Sequence, residues 1–88
     1  MTSVEFLDEA WNEYVTWQQE DRKTLKRINN LIKSIQRDGL GAGLGKPERL
    51  KYQDGWSRRI NSKNRLVYTM INSHLVIIAC KNHYQQSY

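Results

Sequence analysis

Eighty-eight residues with a single cysteine, Cys80, suffice for one small domain spanning 1–88 and exclude an intrachain disulfide. No metal cluster of the usual Cys/His spacing occurs and no apolar run approaches the ~18 residues of a membrane span. The N-terminus also lacks the basic-then-apolar pattern of a signal peptide, so a reduced, cytoplasmic setting is expected. The net charge of +5 is unevenly spread: Met1–Glu20 holds five acids and no Lys or Arg, while the rest carries all 14 basic residues and a net of +10. An asymmetric basic surface points to a polyanion, nucleic acid first, with a merely solvated lysine-rich surface as the plain alternative.

Ser3–Leu7 is short, partly β-branched and aromatic, and predicts a strand. Asp8 is placed to cap a helix from Glu9 to about Glu20, with Trp11, Tyr14 and Val15 at spacings that make one buried stripe. Glu20 and Asp21 mark a break. A second helix is predicted from Arg22 to Arg37, because Leu25, Ile28, Leu31, Ile32 and Ile35 recur at spacings of three and four. Helices this close in sequence predict a helical hairpin. Asp38–Pro47 holds four glycines and the only proline, and predicts a flexible hinge. Its GLGAGLGK invites comparison with a phosphate-cradling loop, but no Ser or Thr follows Lys46 and Pro47 stands where the helix would begin, so a nucleotide site is rejected.

From Glu48 the period changes to that of strands. Glu48–Gln53, Trp56–Asn61, Arg65–Ile71 and Leu75–Lys81 are predicted strands, with a turn at Asp54-Gly55. The layout β-α-α-β-β-β-β predicts a small α+β domain: an antiparallel sheet with two N-terminal helices packed on one face and the other face open. Alternation along the last two strands puts Leu66, Tyr68, Met70, Val76, Ile78 and Cys80 on the scaffold face, and Arg59, Arg65, Lys81 and His83 on the open face. A bulge would swap faces.

Such an open face suits phosphodiester cleavage. Attack by an RNA 2′-hydroxyl needs a base, an acid for the departing 5′-oxygen, and cations for the charge building on phosphorus. Glu48, at the glycine loop's exit, is the candidate base, and His83 the candidate acid. Arg65, Arg59 and Lys51 are candidates to clamp the phosphate, and Tyr84 to stack on a base or orient the substrate. The scheme requires no metal and no cofactor. Each residue also has a plain structural role open to it: Glu48 pairing with a neighbouring cation, the arginines binding carbonyls, His83-Tyr84 forming a polar tail.

GKPERLK at Gly45–Lys51, GWSRRINSKNRLVY at Gly55–Tyr68, ACKNHY at Ala79–Tyr84 and EAWNEYVTWQQEDRKTLKRINNLIK near the N-terminus carry a resemblance over nearly the whole chain. The sequence resembles the YoeB-type toxins of bacterial toxin–antitoxin modules, within the RelE-like superfamily. The resemblance implies a ribosome-dependent endoribonuclease that cleaves mRNA in the A site and stops translation. It implies a general base matching Glu48, a general acid matching His83, transition-state stabilisation by residues matching Arg59, Arg65 and Lys51, and an aromatic matching Tyr84. It also implies a YefM-like antitoxin with an acidic C-terminal segment, and contact with operator DNA only through that complex. A homodimer is left open, and no membrane partner is expected. Two departures stand out: such toxins commonly end at the tyrosine matching Tyr84, whereas here Gln85, Gln86, Ser87 and Tyr88 form a short tail, and Arg49 adds charge beside the base. The competing readings are a non-enzymatic, ParE-like gyrase inhibitor on the same fold and a ribosome-independent RNase.

Overall fold

The computed structural model describes residues 2–81. His83, Tyr84 and the tail 85–88 lie outside the described residues. The order is β1 (Val4–Phe6), α1 (Asp8–Glu20), α2 (Arg22–Asp38), β2 (Glu48–Arg49), β3 (Trp56–Arg59), β4 (Arg65–Ile71) and β5 (His74–Ala79). The strands form one sheet in the order β1-β5-β4-β3-β2. β2 to β5 are antiparallel as expected, but β1 joins β5 in parallel, with Val4 opposite Leu75 and Phe6 opposite Ile77. The sheet is therefore mixed, and its first strand is an edge beside its last.

Both helices lie on one face, and their inward residues join those of β4 and β5 in one core: Ala10, Trp17, Ile28, Leu31, Ile32 and Ile35 with Leu66, Tyr68, Leu75, Ile77 and Cys80. The α2 stripe is as its periodicity predicts, with Leu25 at the margin. Asp21, the single residue between the helices, caps α2 by accepting from the backbone N–H of Lys23 and Thr24 and from the Thr24 hydroxyl. Those bonds hold its carboxyl below the ordinary range, the Thr24 hydroxyl most of all.

α1 differs from expectation. Asp8 is the first helical residue rather than the cap, and Leu7 precedes it with no side-chain cap bond. The inward positions are Ala10, Tyr14 and Trp17, spaced four and three, whereas Trp11 is 50% exposed and rests on Phe6 and Tyr14. Tyr14 donates to Asn29 Oδ1 at 2.7 Å and locks the two helices together.

β5 corrects the predicted faces. The β4–β5 register slips between Val67 and Tyr68, so Val67 meets Ala79 while Tyr68 meets Ile77, and Ile78 is the extra residue. Leu75 and Ile77 consequently face the helices in place of Val76 and Ile78, while Cys80, beyond the bulge, returns to the core. Met70, expected on the scaffold face, reaches the surface. β2 is far shorter than the predicted six-residue strand. The chain leaves the ladder at Leu50, which is buried and donates its backbone N–H to Gly55 O at 3.0 Å, closing a turn over residues 51–54.

Candidate active site

The register brings three of the predicted site residues to one face. Glu48 pairs with Ser57, Ser57 with Val67, and Arg59 with Arg65. Directly opposed residues project to the same side of a sheet, and alternation joins Ser57 to Arg59 and Arg65 to Val67. Glu48, Arg59 and Arg65 therefore share the face turned away from the helices. Two like charges directly opposite one another destabilise a ladder, so Arg59 against Arg65 is an arrangement that folding alone disfavours. It concentrates positive charge on the face that also carries the Glu48 carboxylate.

Each cation is held differently. The Arg65 guanidinium donates through one nitrogen to the backbone carbonyls of Asn61, at 2.6 Å, and Asn64, at 3.0 Å. It is thereby aimed along the β3–β4 turn, and its other terminal nitrogen forms no bond to a described residue. Arg59 is exposed, and its backbone is fixed at both ends: its N–H donates to Gly45 O at 2.7 Å, and its carbonyl accepts from Arg27 at 3.1 Å. Lys51 lies past the end of β2, in the turn that follows it. Lys81, expected on this face, instead ion-pairs with Glu20 at 2.7 Å and lies over the Trp17 ring at 4.6 Å. His83 and Tyr84 lie outside the described residues.

The chain leading towards His83 is held where it leaves the sheet. Cys80 donates its backbone N–H to Glu13 Oε1 at 2.8 Å, and its carbonyl accepts from Trp17 Nε1 at 2.9 Å. Its thiol is buried against α1 and is pushed up to about 12, by burial first and then by Glu13. α1 thus fixes the chain three residues before the candidate acid.

The glycine-rich stretch, expected as a flexible hinge, is pinned instead, and the residue that pins it was missed. Arg58 is completely buried. Its Nε donates to Tyr68 Oη at 2.8 Å; one terminal nitrogen donates to Ser34 Oγ and Leu44 O, the other to the carbonyls of Gly39, Leu40 and Ala42. The signal lay in β3 itself. WSRRI alternates, and Arg58 shares parity with Trp56 and Ile60, so it belongs to the core side.

Comparison with known proteins agrees with this architecture. The model of the YoeB-like toxins of bacterial type II toxin–antitoxin systems matches residues 6–84. The toxin YoeB of Synechocystis sp. is 52% identical over 85 residues, which is 94% of this chain and 98% of that one. The structure of the YoeB dimer from Staphylococcus aureus superposes with a TM-score of 0.88 at 46% identity, covering 94% of this chain and 98% of that one. The YoeB–YefM complex from the same organism gives 0.87 at 44% identity, with 96% and 99% covered. With a family model that spans both helices and the four strands after them, and relatives matched almost end to end, the chain belongs to the YoeB-like toxins of bacterial type II toxin–antitoxin systems.

Proposed function

We propose that this toxin is an endoribonuclease that cuts mRNA in the A site of the translating ribosome. The observation that supports it is the register: Glu48, Arg59 and Arg65 on one face, opposite the helices. In this reading the Glu48 carboxylate takes the proton of a ribose 2′-hydroxyl. The freed oxygen attacks the adjacent phosphorus, and the bond to the 5′-oxygen breaks. His83 returns a proton to that leaving oxygen, and the 5′ fragment ends in a cyclic phosphate. Arg59 and Arg65, with Lys51, carry the charge that accumulates on the equatorial oxygens, and Tyr84 orients the substrate.

Presentation of the RNA falls to the ribosome, with the basic surface docking on ribosomal RNA. A YefM-like antitoxin is the proposed neutralising partner, by analogy with the Staphylococcus aureus complex, and a homodimer the proposed free state, by analogy with the dimer of that relative. Operator DNA is contacted only through the antitoxin complex. The proposed site of action is the bacterial cytoplasm, where ribosomes translate.

The test is to add the protein to ribosomes programmed with a defined mRNA and to map new RNA ends. Glu48→Gln, Arg65→Ala and His83→Gln are each expected to lower single-turnover cleavage by 100-fold or more, the scale on which general acid–base groups act. Wild-type cleavage by Glu48→Gln would refute the base assignment. Intact mRNA with broken DNA in intoxicated cells would favour gyrase poisoning, and equal cutting of naked RNA would remove the ribosome from the scheme.

A further inference from the structure

Glu48 stands on a strand only two residues long, at the edge of the sheet. Two ladder pairs at an edge fray readily and do not hold a carboxylate in register against two arginines. The flanking chain adds a restraint of its own, and before β2 that chain is the loop 39–45.

One guanidinium holds this loop from beneath the sheet. Arg58 is 0% exposed and spends its donors on a hydroxyl of α2, the hydroxyl of Tyr68 and the carbonyls of Gly39, Leu40, Ala42 and Leu44. Tyr68 Oη donates onward to Leu40 O at 2.7 Å. Ser34 Oγ accepts from the Leu44 N–H and donates to the Asp38 carboxylate, both at 3.0 Å. Among the described residues the guanidinium has no direct bond to a carboxylate; Asp38 stands one hydroxyl away. Burying a charge in this way is costly, and a planar fork of five donors is what a set of carbonyls at different heights requires.

The fixed loop then reaches Glu48 through three residues whose backbone is constrained by packing, turn geometry or the proline ring. Gly45 has φ +90°, and a Cβ there would meet Leu31 Cδ2 at 2.6 Å. Lys46 follows in the left-handed region at φ 53°, and Pro47 has its ring-locked φ. The same strand serves both faces: Ser57 pairs with Glu48, Arg58 points down to the loop, and Arg59 points up to the candidate phosphate site.

We propose that Arg58, together with Tyr68 and Ser34, is the positioning device that sets the Glu48 carboxylate against Arg59 and Arg65. The proposal rests on the reading of Glu48 as the base. It makes part of the turnover rate depend on a buried network on the opposite side of the sheet.

The test is Tyr68→Phe, which keeps the ring and removes one acceptor of Arg58 and one tie to the loop. Turnover and KM are measured on mRNA-programmed ribosomes, alongside amide exchange in the free protein and a parallel Glu48→Gln variant. A base displaced by a fraction of an ångström predicts a fall in kcat of about tenfold. KM should change less than threefold, because the phosphate-binding arginines are untouched. The amides of Leu44 and Arg59 should exchange faster than in the wild type, while those of Leu31 and Ile32 stay as protected. Wild-type kcat with a loosened loop overturns the proposal, as does a loop whose amides stay protected. A fall in kcat matched by loosening throughout α2 also overturns it, since the network then serves the fold alone. If Glu48→Gln cleaves at the wild-type rate, the base reading itself has failed and takes the proposal with it. If it is inactive while Tyr68→Phe is not impaired, only the positioning has failed. Ser34→Ala is the second variant, used where Tyr68→Phe does not unfold cooperatively; it takes a single partner from the guanidinium, and a fall in kcat of about threefold is expected. Unchanged kcat in that variant overturns the proposal.

Discussion

Replacing Arg58 by leucine tests how much of the fold hangs on one buried side chain. The substitution removes five donors and leaves every acceptor in place. At about 1 kcal/mol net for each N–H donor the gross loss is about 5 kcal/mol. Gly39, Ala42 and Leu44 belong to an exposed loop, so water recovers part of what their carbonyls lose. Tyr68 Oη keeps its bond to Leu40 O, and Ser34 Oγ keeps Asp38. The guanidinium's own desolvation cost also vanishes. These corrections leave a net destabilisation of about 3 kcal/mol. A chain of this length has about 4–13 kcal/mol of stability, so the loss is a large share of it. In urea the midpoint should fall by about 1.5–3 M with an unchanged slope. On heating, Tm should fall by about 12–24 °C. A change below about 1 kcal/mol would refute the argument, because it would mean that the loop carbonyls find water as readily as they find Arg58.

Three further outcomes follow from the α1 clamp on Cys80. Trp17→Phe leaves the buried Cys80 carbonyl without its donor and removes part of the platform under Lys81, so a loss of about 2 kcal/mol is expected by urea unfolding; an effect within error would show that the indole bond is replaced by water. The Cys80 thiol should be inert to a disulfide reagent at pH 8 in the native protein and should react promptly in urea. Its raised value also carries a sign. Above the ordinary 9.0 the unfolded chain sheds this proton while the native chain keeps it up to about 12, so stability falls as pH rises through that window. Cys80→Ala should flatten the fall, and equal alkaline slopes for the two proteins would refute the assignment.

What was legible in the chain, and what was not, divides along physical lines. The apolar stripe of α2 and the Trp56–Ile71 hairpin were readable because period and burial coincide there. β4 was predicted residue for residue, and alternation alone put Arg59 and Arg65 on one side. Three things resisted. The bulge at Ile78 shifts half of β5 to the opposite face, and no residue in LVIIA announces it. The exposure of Trp11 depends on where β1 lies, which α1 does not encode. Glycine content suggested mobility in the loop, whereas its carbonyls are captured by an arginine more than ten residues downstream. Buried polar networks are invisible to hydropathy, and here one polar residue in a strand of mixed character governs a whole loop.

The parallel pairing of β1 with β5 has a consequence for synthesis. Val4–Phe6 is made well before its partner, Leu75–Ile77. At ordinary rates of ~5–20 residues per second, the edge strand waits several seconds for the strand that completes the sheet. Until then β1 has no strand partner, β4 is covered on one side only, and Cys80 has not reached Glu13 and Trp17. A toxin with this topology is completed last at the β1–β5 pairing, and a chain cut short before β5 lacks both that strand and the anchor at Cys80.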